Sequence, residues 1–157
     1  MTRHLLLTAL LLTLALPARA EEAVLATLSA HSGSLPPPYA WSLEVTVTWD
    51  GSVTVTRCAG YETEGPACKT GTGAAVTGTV EAILLAAKAS QLLERPASAI
   101  EPPLVGGGWT TGTVALEGGT IELIAQPVED DEPRVNAVLG AIFGAVPDDL
   151  LPIVEGE

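Results

Sequence analysis

Basic residues, histidine and cysteine are scarce in this chain, and each shortage removes a class of function. Only 7 Lys and Arg stand against 19 Asp and Glu in 157 residues, a formal charge of -12. Nucleic-acid binding relies on clustered cations that displace counterions from phosphates, so scattered basic residues on an acidic chain exclude it. Two histidines, His4 and His31, and two cysteines, Cys58 and Cys68, leave too few ligands for a histidine-based zinc centre. The cysteines lack C-x-x-C redox spacing. No Gly-x-Ser-x-Gly elbow exists to hold a nucleophile. His31 beside Ser32 and Ser34 is not a triad, because nucleophile, base and orienting acid must converge in space. Gly106-Gly107-Gly108-Trp109 opens no helix and is followed by no Lys-Ser or Lys-Thr, so it does not read as a phosphate-binding loop. No catalytic residue, metal ligand or cofactor site is assigned on these grounds.

What remains is one domain's worth of chain, 47% hydrophobic, with neither the low hydrophobicity nor the repetition of disordered or fibrous proteins. Residues 1–20 read as a secretory signal peptide. Arg3 and His4 form a basic start, Leu5 to Leu16 is an apolar run, and Ala18-Arg19-Ala20 offers small residues for cleavage. That run makes about 18 Å of helix, short of the roughly 30 Å hydrocarbon core, and no membrane span is expected after cleavage. Cleavage after Ala20 leaves 5 basic and 19 acidic residues, or -14, on 137 residues. The expectation is a secreted or periplasmic monomer, a single domain over 21–150 and a flexible tail over 151–157.

The patterning predicts an α+β fold. Ala23 to Leu28 reads as a short strand, ended by Pro36-Pro37-Pro38. Leu43, Val45, Val47 and Trp49 alternate with polar residues, as do Val53 and Val55 beyond Asp50-Gly51, which makes a hairpin. Only a three-residue loop, Trp49-Asp50-Gly51, sets the apolar residues of both arms on one face, with Gly51 left-handed. A second hairpin, Thr113 to Ala125, turns at Gly118-Gly119 and is expected to pair Leu116 with Ile121 and Val114 with Leu123. One helix is predicted from Val80 to Arg95, capped by Thr79 and stopped by Pro96. Another opens at Pro133 and presents Val135, Val138, Leu139, Ile142 and Val146 on one face. The predicted architecture is an antiparallel sheet of four to five strands, from two hairpins and the short N-terminal strand, with two helices packed on one face.

Cys58 and Cys68, in an exported chain with a turn-rich stretch between them, read as a disulfide worth roughly 2 to 3 kcal/mol by chain entropy. The acidic run Glu129-Asp130-Asp131-Glu132 lacks EF-hand spacing and sits where acids favour a helix start, so it reads as a cap rather than a Ca²⁺ loop. Trp49, Tyr61 and Trp109 lie near loops, where aromatics serve as interface anchors, and form the candidate interaction surface.

The layout resembles emfourin, a small bacterial family with a known inhibitor of a thermolysin-like metalloprotease. The similarity spans Val24 to Leu150: a first strand ending in His31-Ser32-Gly33-Ser34, a hairpin, a Leu-rich helix, a second hairpin, and a helix introduced by Pro133. The chain departs from that family in its leader and cysteines, and none of the family's inhibitory residues maps onto it. The resemblance implies the same fold and an inhibitory role. The sequence therefore points to an exported, non-enzymatic interaction domain with a secreted or periplasmic protein as partner. A small carboxylate-dependent hydrolase and an acidic ion-binding envelope protein stay as alternatives.

Overall fold

A computed structural model describes residues 23–60 and 67–156. The expected leader and Tyr61 lie outside them. Six antiparallel strands form one sheet: β1 (Val24–His31), β2 (Trp41–Thr48), β3 (Ser52–Ala59), β4 (Ala67–Ala74), β5 (Trp109–Leu116) and β6 (Gly119–Leu123), ordered β4-β3-β2-β1-β5-β6. Three helices accompany them: α1 (Thr79–Ser90), α2 (Glu132–Phe143) and α3 (Leu151–Glu155). The class is α+β as predicted, but the six strands exceed the predicted four to five, and the described residues hold three helices where two are predicted.

Both additions have one cause. The sequence of β4, Ala-Cys-Lys-Thr-Gly-Thr-Gly-Ala, shows no apolar alternation, because its core-side positions are Gly71 and Gly73, opposite Val55 and Val53. A Cβ on Gly71 would stand 2.6 Å from Ile153 Cδ1 and 2.7 Å from Leu150 Cδ2. The C-terminal segment thus supplies the apolar side chains that β4 lacks. Residues expected to form a flexible tail are in α3, which is further tied down by the Arg57 guanidinium donating to the Val154 carbonyl at 2.8 Å.

The first hairpin has the predicted register, Val47 opposite Val53 and Val45 opposite Val55, with Gly51 at φ 85°. The second is displaced by two residues. Val114 faces Ile121 and Gly112 faces Leu123, the turn being Glu117-Gly118. An even displacement keeps every apolar residue on the same face. Leu93 packs over this turn, 3.3 Å from where a Cβ on Gly118 or Gly119 would lie. The first strand, short by its sequence, is one of the two middle strands of the sheet and joins the two hairpins, through β2 on one side and β5 on the other. A bulge between Val24 and Ala26 lets Leu25 and Ala26 both reach the core.

Leu28, Leu43, Val45, Val47, Val53, Val55, Val114, Ile121 and Leu123 line the face under the helices, where Ile83 and Ala87 of α1 and Val135, Val138 and Ile142 of α2 meet them. Across the other face, Thr72, Thr54, Thr46, Thr27 and Thr113 form one row over five strands. Neighbouring hydroxyls pair, Thr27 with Thr113 at 2.8 Å and Thr56 with Thr70 at 3.0 Å. Such a polar outer face is what an antiparallel sheet presents to water.

Helix α1 ends five residues before the predicted stop at Arg95, with Gln91 in the left-handed conformation at φ 55°, so that Leu92 turns inward and is buried. Its N-cap is Gly78 rather than Thr79, whose hydroxyl instead donates to the Val76 carbonyl. The Arg134 guanidinium covers the far end. It donates to the carbonyls of Ser90 and Arg95, both at 2.7 Å, and to Asp131. A cation among the last carbonyls of a helix complements its dipole.

Asp131, from the acidic run, is buried and also accepts the Ser98 N–H at 2.9 Å. The Ser98 amide, followed by the Arg134 guanidinium, holds its carboxyl below the ordinary 3.8. A depressed folded-state pKa contributes stability that is present above that ordinary value and lost as pH falls through the lowered one. In urea denaturation, wild type is expected to lose more stability between pH 5 and pH 2 than Asp131→Asn does. Equal losses would mean that the carboxylate is not linked to folding.

Candidate functional site

A cleft of about 570 Å³ opens at one end of the sheet. Strand β6 leaves the sheet at Leu123, opposite Gly112, so Trp109, Thr110 and Thr111 of β5 have β1 on one side and, among the described residues, no strand on the other. The chain after β6 turns away instead. Ala99 bridges Pro127, and Ile100 donates its N–H to the Gln126 carbonyl at 2.8 Å. The Gln126 side chain then pins the next loop, accepting from Leu104 N–H at 2.8 Å and donating to Leu104 C=O at 2.9 Å. The notch between β5 and this loop is the cleft.

Its shape depends on glycines at close backbone approaches. A Cβ on Gly33 would stand 2.3 Å from the Gly107 carbonyl oxygen, and one on Gly108 would stand 2.6 Å from that of His31. These contacts bring the loop after β1 against the loop before β5, which sets the Trp109 indole beside the His31 ring with centroids 5.7 Å apart. Leu35, Leu104, Ile124 and Leu139 supply apolar walls, and Asn136 and Glu132 of α2 stand on the helix side. Trp109 is 42% and Leu104 67% exposed. Large apolar side chains gathered around one concavity are the usual mark of a contact site.

His31 Nε2 shares a hydrogen bond with the Ser29 hydroxyl at 3.1 Å, and among the described residues no carboxylate accepts a hydrogen bond from the imidazole. Glu132 is, among the described residues, the one carboxylate lining the cleft. Among the described residues no three His, Cys, Asp or Glu side chains gather to hold a metal ion.

The aromatic residues singled out from the sequence are not brought together. Trp109 sits beside His31, whose partner Ser42 is near the start of β2, while Trp49 follows the end of β2, roughly 24 Å away along the strand. Tyr61 lies outside the described residues. Cys58 and Cys68 are direct cross-strand partners on β3 and β4 and form the expected disulfide, with Cα atoms 4.0 Å apart. Trp41 is half-buried, with the Arg57 guanidinium 4.6 Å from its ring centroid. His31 and Glu132, weighed in the sequence only as a triad candidate and as part of a helix cap, line the cleft, as do Gln126 and Asn136, which no sequence signal marks. The glycines flanking Trp109 were the available signal for the site, but nothing local marks where β6 stops.

No single helix among the described residues is long and apolar enough to cross a membrane. No protein-family model and no curated protein sequence matches the chain.

Proposed function

We propose that the chain is an exported, non-enzymatic binding domain whose partner docks in the cleft beside Trp109. The observation that carries this reading is that β5 runs on past the end of β6 into a concavity lined by Trp109 and Thr110 and by exposed apolar side chains. A disulfide between paired strands suits an oxidising compartment, and the leader read at 1–20 accords with it. The emfourin resemblance makes a secreted protease the partner class to test first.

Immobilised protein, as wild type, Trp109→Ala and Trp49→Ala, is to be exposed to the secreted proteins of the source organism, with the bound fraction identified and a panel of extracellular proteases assayed for inhibition. A defined partner should be retained by wild type and by Trp49→Ala and lost by Trp109→Ala. Retention that ignores Trp109 places docking elsewhere. Protease activity unaffected by a bound wild-type chain removes the inhibitor role and leaves the binding domain.

A further inference from the structure

We infer that the occupant of this cleft is an extended peptide segment, alternating apolar and basic side chains, that adds to β5 as a short strand. The inference rests on the binding role proposed above and names its partner chemistry. Strand edges present rows of N–H and C=O groups that pair with any extended chain, and proteins usually blunt them with charge, proline or shortness. The other edges here are treated that way. Strand β6 has five residues and carries Glu122, and β4 carries Lys69. Beyond Gly112 the β5 edge has no charge and no proline; by the alternation of antiparallel pairing Thr110 turns its N–H and C=O toward that edge, while Trp109 and Thr111 turn theirs to β1, and Trp109 and Thr110 line the cleft.

The pleat dictates what the added strand would show to each side. Trp109 and Thr111 pair with His31 and Ser29 and belong to the outer face, while Thr110 pairs with Ala30 and belongs to the helix face. Side chains of a strand laid along this edge would alternate in the same way. On the outer side they would meet the Trp109 and His31 rings, an aromatic surface whose larger part is the apolar indole. On the helix side they would meet Asn136 and Glu132.

Charge selects the residue for that second side. Among the described residues Glu132 is the single charged residue lining the cleft, and no Lys or Arg lines it. Arg134, close by in sequence, is turned to Asp131 and the carbonyls of Ser90 and Arg95. The whole chain carries -12, so an acidic segment would be repelled and a basic one steered inward.

The probes are three short synthetic peptides, one alternating leucine with lysine, one leucine with glutamate, and the lysine peptide N-methylated at the backbone nitrogens that would face β5. Each is titrated into the isotope-labelled protein while the Trp109 indole and the amides of residues 109–111 are followed by NMR. The lysine peptide should move these signals and bind more tightly than the glutamate peptide. N-methylation should weaken it by roughly fivefold or more, since strand hydrogen bonds are lost. Trp109→Ala should weaken it by at least about thirtyfold, the loss of an aromatic anchor. Glu132→Gln, an exposed change that leaves the core intact, should weaken it only by roughly two- to fivefold.

Equal binding of the N-methylated peptide overturns strand addition. Equal binding of the glutamate peptide overturns the basic occupant. If none of the three binds, the peptide inference falls, whereas Trp109-dependent capture of a secreted partner would still uphold the binding domain.

Discussion

Replacing Gly112 by alanine is expected to destabilise the fold by about 3 kcal/mol, lowering Tm by roughly 10 °C in a domain of this size. Gly112 lies on β5 opposite Leu28 of β1. An added Cβ would stand 2.4 Å from the Thr27 carbonyl oxygen and 3.3 Å from methyls of Leu123 and Leu139. Backbone oxygen in the middle of a sheet cannot swing aside as a side chain can, so β5 must shift away from β1. The same substitution at Gly140 should act in the opposite direction. Gly140 is on the exposed side of α2 with nothing within 4 Å of its added Cβ, and alanine there should raise stability by about 1 kcal/mol through helix propensity and a less entropic unfolded chain. Urea denaturation of the two variants beside wild type checks both signs. A Gly112→Ala variant as stable as wild type would show that β1 and β5 are not packed as closely as described.

Replacing Cys58 and Cys68 together by serine should cost roughly 2 to 3 kcal/mol, the chain-entropy value for a cross-link spanning ten residues. The loss should be felt unevenly. Strand β4 is an edge, its core-side residues are Gly71 and Gly73, and it is held by β3, by the disulfide and by the apolar side chains of Leu150 and Ile153. With the cross-link gone, amide hydrogen exchange should accelerate most in Lys69 to Gly73 and least in β1, which is paired on both sides. Reduction of the wild-type protein should reproduce the pattern. Uniform acceleration across the sheet would show instead that the bond supports global folding rather than the attachment of β4.

Much of the fold was legible because alternation and turn chemistry are local. The parity of Val45, Val47, Val53 and Val55 about Asp50-Gly51 admits one register, and the structure has it. The second hairpin was harder. The expected register and the observed one differ by two residues and both keep Val114, Ile121 and Leu123 on one face, so alternation cannot choose between them; in the structure Leu93, from another element, packs on the turn. Strand β4 was invisible for a related reason: its missing side chains are replaced by Leu150 and Ile153, which come from the far end of the chain. For the site, Trp109 and its glycines stood out, while the concavity they border did not.

The amino-acid order alone settled the α+β class, the acidic charge, the cysteine pair and the apolar faces of two helices, since each depends on residues within a few positions of one another. Tertiary structure decided which strands are central, where β6 lets go of β5, and that His31 meets Trp109. Those outcomes depend on pairing between distant segments, Thr27 with Thr113 being 86 residues apart, and no periodicity within either segment encodes its partner.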